Sequence, residues 1–293
     1  MKSRDVLGPV LLLLTATLWS FGGVLIKSVE WNPIAIAGMR SALALPVVLA
    51  FMGLPRFRMT PALIGGALAY VATVILFVSA TWLTTAANAV FLQYTAPIYV
   101  AVIGHWWLGE RALRIDWIII VVALAGIVLF FTDQLTFSGF WGNVCALGSG
   151  IAFATMALCL RREKSGSPIA SILLGNLLTA LLCLPFFFIG KAPSPQGWLM
   201  LAVLGMVQLG LPYVLYAAAI KRVTALEATL ITLLEPILNP LWVMLVVGER
   251  PGRWAIFGAA LVTAAVLLRG VLMVIAGGSK SPERGEPARK DFV

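Results

Sequence analysis

A duplicated stretch of fifty residues constrains this chain more than any other feature of its sequence. Residues 80–129 and 219–268 align without a gap at an offset of 139, and twelve of the fifty positions are identical. Each copy has a long apolar run with a proline at its middle (Pro97 or Pro236), then a Gly-Glu-Arg turn and a second apolar run. Repeats of interrupted apolar helices are typical of the substrate sites of membrane transporters. The duplication therefore predicts two similar halves around a shared site.

The composition predicts that most of the chain lies in lipid. Of its 293 residues, 61% are hydrophobic and 11% are charged, whereas soluble domains are about 25% charged. The net charge of +9 comes from short basic clusters between apolar runs. Such clusters are typical of membrane topology signals, so no nucleic-acid partner is expected. The three cysteines lie in apolar runs without metal or disulfide spacing, and no metal or cofactor is expected.

Ten apolar runs are long enough to cross a hydrocarbon core of about 30 Å. They predict an all-α integral membrane protein with ten transmembrane helices in two five-helix repeats, one within residues 1–131 and one within 139–275. A polar tail at 277–293 is predicted to be disordered. No loop could hold a catalytic domain, so an enzyme is not expected. The predicted spans are 7–27, 33–52, 61–82, 84–107, 113–131, 139–160, 168–189, 197–220, 224–247 and 253–275.

The distribution of lysine and arginine predicts the orientation of these spans. With the N-terminus inside, sixteen basic residues fall on the inner side, and four (Lys27, Lys191, Arg250 and Arg253) fall on the outer side. This bias favours two cytoplasmic termini in the inner (cytoplasmic) membrane. Because five is an odd number, the second repeat enters the membrane from the opposite side. The two repeats are therefore predicted to be inverted relative to each other.

The order of these motifs resembles a known family. A chain of two five-helix repeats, each ending in a proline-broken helix, a Gly-Glu-Arg turn and a further helix, is similar to the drug/metabolite transporter superfamily, in its EamA branch. Typical marks are Trp19-Ser20 in the first span, Arg40 in the second and the Leu-Glu-Pro at 234–236 in the ninth. Within that branch the chain most resembles the YddG-type aromatic amino acid exporters. The resemblance implies transport of a small molecule through a central cavity by alternating access.

Two charged residues lie near the middle of predicted spans, where a charge costs about 2.5–3.5 kcal/mol. Glu235 could accept a substrate ammonium or carry a proton, or it could hold the bundle together by a hydrogen bond between helices. Arg40 could bind a substrate carboxylate with its planar guanidinium, or it could be a structural partner for Glu235 or for carbonyl groups at helix C-termini. Both residues are candidates for the substrate site.

Four further residues have specific predicted roles. Pro97 and Pro236 each remove an N–H from the middle of a span, which predicts either packing kinks or two hinges beside a central cavity. Glu227 is predicted to cap a helix or to form a surface pair with the basic residues at 221 and 222. His105 is predicted to lie at the membrane interface.

Polar and aromatic side chains complete the predicted substrate site. Any one of them is most often a packing residue in a membrane bundle, but they are concentrated in spans three, four, eight and nine. A lining of this kind suits an aromatic or large apolar side chain, and it can also stack on a cation. These candidates are Trp19, Tyr70, Phe77, Asn88, Gln93, Tyr94, Tyr99, Asn176, Tyr213 and Tyr216.

We therefore expect an exporter of amino acids, and of aromatic ones in particular. The alternative is efflux of another metabolite or of a lipophilic cation, because one central carboxylate in an aromatic lining also suits a cation. Arg40 argues against a cation if it faces the cavity. The expected partners are a small-molecule substrate and the lipid bilayer, and ten spans could enclose a site within a monomer. The energy coupling, by proton antiport or as a passive carrier, stays open.

Overall fold

The described part of the chain folds into helices joined by short turns. The computed structural model describes residues 6–52, 58–84, 86–130, 132, 139–238 and 253–276. Pro240, Trp242, the second Gly-Glu-Arg turn and the tail lie outside these residues. The helices are α1 (Leu7–Trp19), α2 (Gly22–Lys27), α3 (Pro33–Met52), α4 (Pro61–Leu83), α5 (Ala86–Gln93), α6 (Ala96–Leu108), α7 (Arg114–Phe130), α8 (Phe140–Arg162), α9 (Pro168–Cys183), α10 (Pro195–Ala202), α11 (Leu211–Ala219), α12 (Ala225–Ile231) and α13 (Arg253–Ala276).

Three shorter elements connect some of these helices. A 3₁₀ helix at Leu184–Phe188 continues α9, and a π-helix at Val203–Gly210 joins α10 to α11. A 3₁₀ turn at Thr232–Leu234 follows α12, and residues 235–238 are helical again. The π-helix and the separation of α1 from α2 were not predicted from the sequence.

Within the described residues, five helical segments are long and apolar enough to cross a membrane. They are Pro33–Phe51, Pro61–Leu83, Phe140–Arg162, Pro168–Phe188 and Pro195–Ala219, and the apolar helices Leu7–Trp19 and Ile256–Arg269 are shorter. The predicted all-helical membrane fold is thus confirmed in outline. The number of ten spans stays a prediction, because the ninth span is described only as far as residue 238.

Local sequence explains where two of the long segments begin. Thr60 Oγ1 accepts a hydrogen bond from the backbone N–H of Leu63 at 3.0 Å, and Pro61 occupies the first turn of α4. Ser194 Oγ accepts one from the N–H of Gly197 at 3.1 Å at the start of α10. A hydroxyl before a first-turn proline satisfies an N–H that the helix leaves free, so these sequences fix the helix starts.

Two spans are interrupted at equivalent positions of the repeat. α5 ends at Gln93 and α6 begins at Ala96, with Pro97 in its first turn. At the positions 139 residues later, the turn Thr232–Leu234 leads into Pro236. Proline lacks the N–H that would continue the ladder, and it crowds the carbonyl four residues earlier. The interruptions lie where the sequence predicted them, and their role as hinges stays a prediction.

Helix α8 lies directly against the first interruption. A Cβ atom at Gly150 would lie 2.8 Å from the backbone carbonyl oxygen of Gln93 and 3.1 Å from that of Leu92. Only a glycine lets the two backbones approach this closely, as is common between membrane helices.

Helix packing follows a regular scheme in the described structure. α4 packs against α8, and α1 packs against α11. α3 packs against α9, α6 against α12, and α7 against α13. Each of these pairs joins a helix before residue 131 to one after residue 139. The core therefore lies between the two sequence halves, and it is shared by them.

Candidate substrate site

A cavity lies among the helices of both halves. Its volume is about 40 Å³, well below the roughly 300–1,000 Å³ of small-molecule pockets, so the cavity must widen before it can hold an amino acid. The lining combines one basic and one acidic residue with aromatic, apolar and amide side chains. The residues that line it are Trp19, Arg40, Thr73, Val74, Phe77, Gln93, Tyr94, Phe153, Gln208, Leu209, Tyr213 and Glu235.

Glu235 is held by the turn that interrupts the other span. Tyr94, which is 2% exposed and lies between α5 and α6, donates a hydrogen bond from Oη to Glu235 Oε2. Glu235 therefore does form a hydrogen bond between helices, which was one of the two roles considered for it. A carboxylate has about four acceptor positions, and the side chain also lines the cavity. Glu235 can thus hold the two interrupted spans together and still contact a ligand.

Arg40 brings a positive charge to the same cavity. Its side chain is buried in α3, and its Nε has no hydrogen-bond partner among the described residues. An ion pair between Arg40 and Glu235, which was one of the alternatives for Arg40, is not among the contacts of the described residues, although the two side chains interact electrostatically. A buried guanidinium with an unused donor is suited to a carboxylate ligand.

Aromatic rings form one wall of the cavity. The ring of Trp19 lies 5.0 Å from that of Tyr213 and 5.8 Å from that of Phe153, both in edge-to-face arrangements. Behind these rings, Tyr216 of α11 lies 5.6 Å from Trp19. Such pairs contribute about 0.5–1.5 kcal/mol each beyond their buried area. The wall is therefore a rigid surface against which a flat apolar group can pack.

A second row of residues supports the aromatic wall from behind. Tyr70 is fully buried, its ring lies 4.8 Å from that of Tyr213, and its Oη donates a hydrogen bond to Asn176 Oδ1 at 2.9 Å. Gly175 of α9 makes room for this ring, because a Cβ there would lie 2.7 Å from it. α9 therefore sets the position of the wall without lining the cavity.

An amide residue closes the side of the cavity beside the first interruption. Gln93 Nε2 donates to Ser149 Oγ at 2.8 Å, and Ser149 Oγ donates to the carbonyl oxygen of Thr73 at 3.1 Å. This chain of bonds fixes α5 against α8 and α4.

Seven of the twelve predicted site residues line the cavity, and five do not. Tyr70, Asn176 and Tyr216 lie behind the aromatic wall. Asn88 donates hydrogen bonds to Asn143 Oδ1 at 2.9 Å and to Thr84 Oγ1 at 3.2 Å near the start of α5, and Tyr99 is half-buried in α6 away from the lining. A role in binding stays a prediction for all twelve. The seven are Trp19, Arg40, Phe77, Gln93, Tyr94, Tyr213 and Glu235.

Sequence reasoning missed Gln208 and Phe153 in the lining, together with the smaller or aliphatic Thr73, Val74 and Leu209. A signal existed for Gln208, because it is a lone amide in a long apolar segment. Its relation to Tyr213 is obscured by the π-helix, whose i→i+5 pattern brings residues five apart towards one face. Phe153 gives no such signal among the many apolar residues of α8.

Several helix ends meet in a charged cluster at one end of the bundle. Gly109 ends α6 with φ of 71°, a conformation that favours glycine. Glu110 follows it, forms an ion pair with Arg161 Nε at 2.6 Å and accepts a hydrogen bond from the N–H of Ala225 at 3.0 Å. The first Gly-Glu-Arg turn therefore ties α6 to the end of α8 and to the start of α12.

A second group in this cluster surrounds Arg269 of α13. Its guanidinium forms ion pairs with Asp116 at 2.9 Å and with Glu227 at 3.1 Å. Glu227 also forms a reciprocal capping box with Thr224 at the start of α12. The predicted cap is confirmed, but the ion-pair partner is Arg269 instead of the basic residues at 221 and 222. His105 lies nearby, half-buried in the last turn of α6.

The helical membrane fold and the cavity shared by two similar halves define a transporter architecture. The chain belongs to the EamA-like transporter family, whose sequence profile matches residues 6–132 and again residues 140–270. The two matches correspond to the two predicted repeats.

Three relatives of this chain are described as transporters. An uncharacterized transporter of Archaeoglobus fulgidus is 28% identical over 89% of this chain and 95% of its own length. The uncharacterized transporter YwfM of Bacillus subtilis is 28% identical over 59% of this chain and 60% of its own. The threonine/homoserine exporter RhtA of Salmonella typhimurium is 24% identical over 55% of this chain and 54% of its own. The alignments with the last two thus span little more than half of each protein.

The fold is also seen in a solved crystal structure. It superposes with a TM-score of 0.80 over 92% of this chain and 99% of its own, at 17% sequence identity. This likeness concerns the fold alone.

Proposed function

We propose that this protein is an inner-membrane exporter of amino acids, and of aromatic ones in particular. The observation that carries the proposal is the presence of Arg40 and Glu235 in one cavity. A zwitterion that leaves water needs partners for both of its charges. Arg40 Nε is an unused donor for the carboxylate, and Glu235 offers acceptors for the ammonium. The threonine/homoserine exporters among the relatives support amino acids as the substrate class.

The aromatic wall supports an aromatic side chain on the substrate. The rings of Trp19, Phe153 and Tyr213 would pack against a flat apolar group. The same rings and Glu235 would also suit a lipophilic cation. Arg40 lines the cavity and would repel such a cation, so we favour a substrate that carries a carboxylate.

The packing scheme supports ten spans in two inverted repeats. A two-fold axis between the repeats would exchange the pair α4–α8 with the pair α1–α11. It would map the pairs α3–α9, α6–α12 and α7–α13 onto themselves, and all five pairs are in contact. Five spans per repeat make the relation an inverted one.

The charged cluster supports the proposed orientation. It joins Glu110, Asp116, Arg161, Glu227 and Arg269. Counting ten spans from a cytoplasmic N-terminus places all five residues on the inner side of the membrane. Their contacts with one another agree with this count, because residues on the same side can meet. One chain encloses the cavity, which supports a monomer as the transport unit.

Alternating access would use the two interrupted spans. Pro97 and Pro236 follow these interruptions at equivalent positions, and Tyr94 and Glu235 connect them beside the cavity. Bending at the two prolines would change the access to the cavity from one side to the other.

Counterflow in liposomes tests the proposal. Purified protein is reconstituted with internal L-tryptophan, L-phenylalanine, L-threonine, L-homoserine or a quaternary ammonium ion, with and without a pH gradient, and uptake of each labelled compound is measured. We expect saturable exchange of amino acids, strongest for the aromatic ones. Exchange of the quaternary ammonium ion alone would overturn the proposal in favour of cation efflux. A dependence on the pH gradient would distinguish proton antiport from a passive carrier.

A further inference from the structure

Gln208 is a cavity residue with an oriented amide whose buried acceptor is unused in the described structure. It lies in the π-helix between α10 and α11, lines the cavity and is 6% exposed. Its Oε1 is buried and has no hydrogen-bond partner among the described residues. Leaving a buried acceptor without a partner is unfavourable, so a donor is expected to occupy this position.

The break between α1 and α2 fixes which way this amide points. α1 ends at Trp19, and the carbonyl oxygen of Trp19 accepts a hydrogen bond from Gln208 Nε2 at 3.1 Å. A carbonyl oxygen can only accept, so the NH₂ group must face Trp19 and the oxygen must be the free end. Gly22 at the start of α2 packs closely on the amide, because a Cβ there would lie 2.5 Å from Nε2. The free Oε1 therefore has a defined direction.

We propose that Gln208 Oε1 accepts a hydrogen bond from the ammonium group of the substrate and so distinguishes amino acids from carboxylic acids that lack the amine. This inference rests on the proposed function. An ammonium has three donors, each of which needs an acceptor when it is buried. One oxygen of Glu235 is engaged by Tyr94, and an uncharged acceptor from Gln208 adds a hydrogen bond without adding a second negative charge. Arg40 and Glu235 then still balance the two charges of a zwitterion.

The test compares two substrates that differ only in the amine. Uptake of L-tryptophan and of 3-(indol-3-yl)propionate is measured in liposomes for the wild type and for Gln208→Met, which keeps the length of the side chain but has no acceptor of comparable strength. We expect the preference for L-tryptophan to fall at least tenfold in Gln208→Met. Gln196→Met, at an exposed position of α10, is the matched control.

The outcomes separate the inference from the proposed function. If the wild type exchanges no amino acid at all, the proposed function fails. Suppose instead that the wild type prefers L-tryptophan but Gln208→Met lowers the uptake of both compounds equally. Gln208 then only stabilises the end of α1 at Trp19 or binds a water molecule, and the inference is overturned. The ratio of the two uptakes does not depend on how much variant protein folds.

Discussion

Tyr94 donates a hydrogen bond to Glu235, and this contact joins the two interrupted spans beside the cavity. Tyr94 lies in the turn before Pro97, and Glu235 directly precedes Pro236. The two residues are not equivalent in the duplication, because Ala96 occupies the position that corresponds to Glu235. The repeat therefore places two similar breaks side by side, and an asymmetric pair of residues links them.

The change Tyr94→Phe tests this link. The ring stays in place, but the carboxyl group of Glu235 loses a donor, and leaving a buried group unsatisfied costs about 1–3 kcal/mol. We expect a lower melting temperature in detergent and slower exchange in liposomes. Tyr99→Phe removes a hydroxyl outside the cavity and serves as the control. Equal melting temperatures for the two variants would contradict the prediction.

Glu235→Gln tests the need for a charge at this position. The amide has nearly the same shape, but it cannot pair with an ammonium as a carboxylate does. Hydrogen bonds to charged groups contribute about 1.5–3 kcal/mol, and 1.4 kcal/mol corresponds to a factor of ten. We therefore expect at least a tenfold loss of L-tryptophan exchange with normal membrane insertion. Glu30→Gln, at an exposed position, is the control, and wild-type exchange by Glu235→Gln would exclude an essential negative charge.

Arg40→Lys tests the predicted carboxylate contact. Lysine keeps the charge but not the planar fork that matches a carboxylate. We expect a higher half-saturation concentration for L-tryptophan and no gain for tryptamine, which lacks the carboxylate. Arg58→Lys, at an exposed position before α4, controls for a general effect of the change. An unchanged half-saturation concentration in Arg40→Lys would show that the guanidinium does not bind the substrate.

Arg269→Met tests the energetics of the charged cluster. The change leaves Asp116, which is 1% exposed, without its ion-pair partner. Breaking a buried pair on one side costs about 3–5 kcal/mol, whereas replacing both partners by apolar residues is often neutral. We expect a large drop in melting temperature for Arg269→Met, recovered in part by adding Asp116→Leu. Arg253→Met, exposed in the first turn of α13, should melt like the wild type. If the cluster does not stabilise the fold, Arg269→Met and the double variant will melt at the same temperature as Arg253→Met and the wild type.

The sequence predicted those features whose causes are local. Prolines act on the carbonyl four residues earlier, so the breaks before Pro97 and Pro236 could be placed from the sequence. The capping box of Thr224 and Glu227 spans only three residues and is equally visible. Arg40 and Glu235 could be chosen because charges are costly inside a membrane segment.

Features that depend on distant contacts could not be predicted in this way. Arg269 pairs with Asp116 from the other half of the chain, and no local pattern marks the pair. The π-helix changes the periodicity from which faces are inferred, so Gln208 was not assigned to the cavity. Asn88 is a polar residue in a predicted span, but Asn143 and Thr84 engage it near the start of α5, away from the lining.

The bare backbone of α8 at Gly150 has a consequence for the proposed hinge. The carbonyl oxygens of Gln93 and Leu92 lie so close to Gly150 that a methyl group on this residue would not fit. A bend of the span at this point would then move one main chain directly against another. The absence of a side chain at Gly150 leaves this movement free, and a single added methyl group there would block it.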